Sequence, residues 1–112
     1  MGDPCTMKTL CTTKHGKIYV CSGCDDKLVF AYNNITQSMT KEIFDKFVKN
    51  ITHIKLDEYC ADFPAESRMH IRTEWKALFY SFTKDEMVEV KSLFQQADFK
   101  LKLYERYTLF LN

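Results

Sequence analysis

Apolar and polar residues alternate along Lys17–Cys21, with Ile18 and Val20 on one side and Tyr19 on the other. That is the period of a half-buried strand, opened here by Gly16. Lys27–Tyr32 repeats the pattern through Leu28, Phe30 and Tyr32, and Ile35–Met39 reads as a strand again, after a turn or bulge at Asn33-Asn34. The period then changes. Behind Thr40, placed as an N-cap, Phe44, Phe47, Val48 and Ile51 mark one face of a helix over Lys41–His53. Residues 55–67 read as a linking segment, and strand signals return in Arg68–Thr73 and Lys76–Phe82. Thr83 and Glu86 form a capping box in front of a second helix carrying Met87, Val90, Phe94 and Ala97. Its three- and four-residue steps continue through Leu101, Tyr104, Thr108 and Leu111, although 99–111 also alternates well enough for a strand.

The two helix starts, MTKEIFDKFVKNI and FTKDEMVEVKSLF, superpose at an offset of 43 residues, setting Phe44 on Met87, Phe47 on Val90 and Ile51 on Phe94. The expected fold is α+β: one antiparallel sheet with two amphipathic helices, built as two strand-strand-helix units in pseudo-repeat. One domain spans 1–112. Its first part, 1–54, ends with the first helix, and its last part, 68–112, holds the second strand pair and the C-terminal helix.

Composition narrows the function. The 112 residues are 46% hydrophobic and 28% charged, with three glycines and two prolines, which describes a folded chain of long regular elements. The net charge of +1 is far below that of a domain built to grip a nucleic-acid backbone. MGDPCTMKTL has no apolar core segment, and no apolar run is long enough to span a bilayer, so a cytoplasmic protein off the membrane is expected. Five cysteines then read as reduced thiols.

Three of those cysteines and a histidine crowd into CTTKHGKIYVCSGC, residues 11–24. Cys21 and Cys24 have the C-x2-C spacing that sets two thiolates on one zinc ion, and Cys11 and His15 complete the expected ligand set of a knuckle-like hairpin. Strand rise puts His15, at the hairpin tip, about 10 Å from the returning pair, so Cys5 and Cys60 stay open as alternatives for the fourth position. Inert thiols are the competing reading. A redox pair fits less well, because the turn ends a strand and Asp25 and Asp26 disfavour a thiolate. His53 reads as a capping or surface residue at a helix end, His70 as structural on a strand, Asp57, Glu58 and Asp85 as solvated charge, Arg68 and Arg72 as cross-strand partners of carboxylates, and Trp75 as half-buried packing near a turn.

Three segments, HGKIYVCSGC, LVFAYNNITQSMTKEIFDKF and ESRMHIRTEWKALFYSFTKDEM, together resemble a family of small uncharacterised proteins from Bacteroidota. The likeness covers most of residues 15–94: an HG-x-I segment running into C-x2-C, a V-x-F-x-N-like strand, a T-x-E-x-F helix start, an E-R-M-like strand with R-T, and a second F-T helix start. It implies no activity. It implies that His15-Gly16 and Cys21/Cys24 act as a unit and that the chain has two halves; Cys11 lies outside the pattern. The functional expectation is a zinc-stapled protein-interaction or regulatory module with an unknown protein partner, and with homodimerisation through the C-terminal helix open. A zinc-ribbon-like nucleic-acid binder using Lys14, Lys17 and Tyr19 is the alternative, and a small enzyme the third.

Overall fold

A computed structural model describes residues 7–21, 27–54, 68–73 and 77–111. The alternating segments become β1 (Met7–Thr12), β2 (Gly16–Cys21), β3 (Lys27–Tyr32) and β4 (Ile35–Met39), then α1 (Lys41–His53), β5 (Met69–Arg72), β6 (Phe79–Phe82) and α2 (Lys84–Leu111). The first four strands form an antiparallel sheet in chain order, and β5 and β6 pair in a second, two-stranded sheet. The fold is α+β. The linking segment 55–67, Cys5, Cys24, Cys60 and Trp75 lie outside the described residues.

The sheet is built from nested hairpins. Asn33, at φ 51°, supplies the left-handed residue that the short β3–β4 turn needs, and asparagine tolerates that conformation better than most side chains. β1 meets β2 with a register shift between Thr9 and Cys11, so Leu10 and Cys11 both turn inward, and Cys11 lies opposite Ile18. α1 takes its expected bounds, with Thr40 Oγ1 accepting from the Ile43 amide at 3.3 Å. At α2 the capping box is reciprocal: the Thr83 amide donates to Glu86 Oε1 at 2.9 Å and the Glu86 amide to Thr83 Oγ1 at 3.3 Å. The helix runs through the 99–111 segment, where Leu101 and Tyr104 keep the helical spacing and Lys8 Nζ sits 3.7 Å from the centre of the Tyr104 ring.

Both helices pack on the same face of the four-stranded sheet, α1 over β3 and β4 and α2 over β1 and β2. Phe94 is the hub, its ring 4.9 Å from Phe30 of the sheet and 5.6 Å from both Phe44 and Phe47 of α1. Such pairs contribute about 0.5–1.5 kcal/mol each beyond their buried area. The offset of 43 carries Met39 to Phe82 and Lys41 to Lys84, so β3-β4-α1 and β5-β6-α2 correspond in order and spacing. They do not share one sheet, however. β5 and β6 fold inward, with Tyr80 against Phe30 and Phe47 and Phe82 against Tyr32, and reach the core through side chains instead of joining the edge of β4. Arg68 also departs from cross-strand pairing with a carboxylate: it donates to the Ser81 carbonyl at 3.0 Å and reaches Glu86 of α2 at 3.4 Å. No helix among the described residues is long and apolar enough to cross a membrane.

Candidate functional site

The β1–β2 turn, Thr13–Gly16, closes with the Thr13 amide donating to the Gly16 carbonyl at 2.8 Å. This points Thr13 and His15 at the first turns of α2, where Glu89 receives them. One carboxylate oxygen of Glu89 accepts from Thr13 Oγ1 at 2.6 Å and from the His15 amide at 2.8 Å. The other lies 2.8 Å from His15 Nδ1 and accepts from the Tyr32 hydroxyl at 3.3 Å. The Asn33 amide donates to the His15 carbonyl at 2.9 Å, tying in the next turn as well. Gly16 is required by close approach: a Cβ there would lie 2.6 Å from the Ala31 carbonyl oxygen, 2.8 Å from Tyr32 Cδ2 and 3.1 Å from Leu93 Cδ1.

The electrostatics follow from this geometry. Burial by itself would raise the Glu89 carboxyl, but the hydrogen bonds from Thr13 and His15 outweigh it and hold the group down at about 2, well below the usual 4.5. Burial pushes the Tyr32 hydroxyl up to about 12, helped by the charges of Glu89 and Glu86 and by its bond to Glu89. Glu89 therefore stays ionised and Tyr32 stays a neutral donor at ordinary pH. The imidazole, about half exposed at 47%, turns Nδ1 to the carboxylate and leaves Nε2 as the remaining ring nitrogen. A carboxylate-held imidazole is one part of a proton-transfer site. The neighbours the structure supplies are a threonine and a tyrosine that already donate to the same carboxylate, and the grooves lined by Leu10, Gln95, Gln96, Phe99 and Lys100, and by Thr40, Ile43, Phe47 and Arg72, lie elsewhere. What the arrangement does chemically is latch a hairpin tip onto a helix.

Three of the expected metal ligands, Cys11, His15 and Cys21, fall among the described residues. Cys11 is buried on the helix side, where its thiol donates to Gln96 Oε1 at 3.5 Å, and burial raises its pKa. Cys21 is buried opposite Met7 and Lys27, at strand positions that face the other side of the sheet from Ile18 and Phe30. His15 is turned to Glu89, and Cys24 lies outside the described residues. Among the described residues no three His, Cys, Asp or Glu side chains are grouped as a metal site.

Sequence reasoning found His15-Gly16 but missed Glu89, Tyr32 and Thr13 as its partners. The partner carboxylate is 74 residues away in the chain. One signal was available: Glu89 interrupts the inward side of α2, directly before Val90 and one turn before Leu93, where an unpaired charge would be costly.

No curated protein and no solved structure matches the chain. The family model of DUF6686, a family of unknown function, matches residues 4–112. That match takes in the His15-Gly16 tip and the helix that carries its Glu89 partner, and the protein belongs to this family.

Proposed function

We propose that the protein is a protein-interaction module that works through the outward face of α2. The observation that carries this reading is that α2 has two apolar sides. Met87, Val90, Phe94 and Ala97 are buried against the core, whereas Val88, Phe99 and Leu103 point the other way and are 51%, 66% and 48% exposed. At 3.6 residues per turn, Val88 and Phe99 fall within about 20° of one another, so they form a strip. A phenylalanine two-thirds in water adds little to the fold, and large apolar side chains exposed along one line of a helix mark a candidate contact face, here with Ser92 and Gln95 between them. The nucleic-acid alternative is less well supported, because Lys17 Nζ sits 5.2 Å from the centre of the Tyr19 ring and occupies a surface that a base would stack on.

Within the same proposal, zinc is carried by Cys21 and Cys24. Elemental analysis of protein purified without chelator checks this: about one zinc per chain supports the staple, and none removes it without touching the α2 reading. For α2 itself, tagged native protein and Phe99→Asp are purified in parallel from the source organism. A protein retained by the first and lost from the second supports the module. Identical profiles, with neither form self-associating, overturn it.

A further inference from the structure

We infer that the outward strip of α2 is occupied by a second copy of this chain, packed antiparallel about a two-fold axis; the inference rests on the interaction reading above and names its partner. The strip reads Val88, Ser92, Gln95, Phe99, with steps of four, three and four. That spacing is the same in both directions. A two-fold axis midway between Ser92 and Gln95 therefore sets Val88 on Phe99 of the second copy, and Ser92 on Gln95, in the a-to-d manner of antiparallel helix pairs.

Charge selects this orientation. One turn beyond the strip on either side stand Asp85 and Lys102, both exposed. Antiparallel packing brings each Asp85 to the other copy's Lys102, whereas parallel packing would set aspartate on aspartate and lysine on lysine. Between them the strip itself carries no charge to be desolvated. Polar groups on and beside the strip are already engaged within the chain. The Ser92 hydroxyl accepts from Gln96 Nε2 at 2.6 Å, and Lys91 is drawn away from the strip to the Ile54 carbonyl at 3.3 Å. Lys102 bonds Asp98 on its own helix, at 2.9 Å, and an ammonium has three donors to offer a second carboxylate as well. The edge strand β1 is a poorer route to self-association, since its bulge and Lys8 are features that block edge pairing. From Asp85 to Leu103 the strip is roughly 27 Å long at 1.5 Å per residue, which suits a dimer at the small end of specific interfaces.

The experiment is sedimentation equilibrium on the full chain across a concentration series, with Asp85→Lys, Lys102→Asp, their one-to-one mixture, and Phe99→Asp. Native protein should dimerise reversibly. Each charge variant alone turns two attractive pairs into repulsive ones and should weaken association about tenfold, while the mixture restores both pairs in a heterodimer and should recover to within about threefold. Phe99→Asp should be monomeric with an unchanged circular dichroism spectrum. A native chain that is monomeric up to about 1 mM overturns the inference, as does a mixture no stronger than its components. A monomeric chain that still captures another protein through Phe99 overturns the dimer and leaves the interaction reading standing.

Discussion

Glu89 is the residue on which the hairpin tip depends, because four donors from three residues converge on its two oxygens. Glu89→Gln keeps the shape but loses the charge and turns one acceptor into a donor. Chemical denaturation should register a loss of about 1–3 kcal/mol, the range for a charged hydrogen-bond acceptor. The pH dependence has a definite sign. The carboxyl is depressed in the folded chain, so its contribution is fully present above pH 4.5 and is lost as pH falls toward about 2. Tyr32 acts at the other limb: its raised pKa gives a contribution that is full below pH 10 and fades toward about 12. Stability followed from pH 7 to 2 should therefore fall less steeply in Glu89→Gln than in the native chain. Parallel acid limbs would remove Glu89 as the anchor.

The elements were largely legible in the sequence, because each is announced within a few residues. Thr40 and Thr83 cap the helices they precede, and β3, β4 and α1 have the bounds that alternation and helical spacing predict. Thr83→Ala removes one half of the reciprocal cap and should lower the unfolding free energy by about 1 kcal/mol, measured by urea titration. An unchanged midpoint would mean that Glu86, held also by Arg68, fixes the helix start alone. What local pattern did not announce was the pairing of elements. The bulge at Leu10 and Cys11 exists because both side chains have core to fill beneath α2, and β5-β6 turns inward because Tyr80 and Phe82 have aromatic partners there. Both depend on residues dozens of positions away.

At the scale of the molecule, the hairpin latch and the α2 strip lie on one helix and do different work. The inward side of α2 gathers the sheet, α1 and the hairpin tip around Phe94 and Glu89. The outward side carries half- to two-thirds-exposed apolar groups, Val88, Phe99 and Leu103. The cysteine cluster drew attention in the sequence because spacing is visible there, whereas the Glu89 site is assembled only by folding. The seam visible in the sequence, through Met87, Val90, Phe94 and Ala97, is the inward side of α2; Val88, Phe99 and Leu103 lie off it, and only the fold shows them facing outward.

The most direct measurement is a concentration series of two-dimensional NMR spectra on the native chain. As concentration rises, signals of Val88, Ser92, Gln95, Phe99 and Leu103 should shift together along one binding curve, while those of Thr13, His15 and Glu89 stay in place. Spectra that do not change with concentration, or shifts centred on β1 or on the hairpin tip, would contradict it.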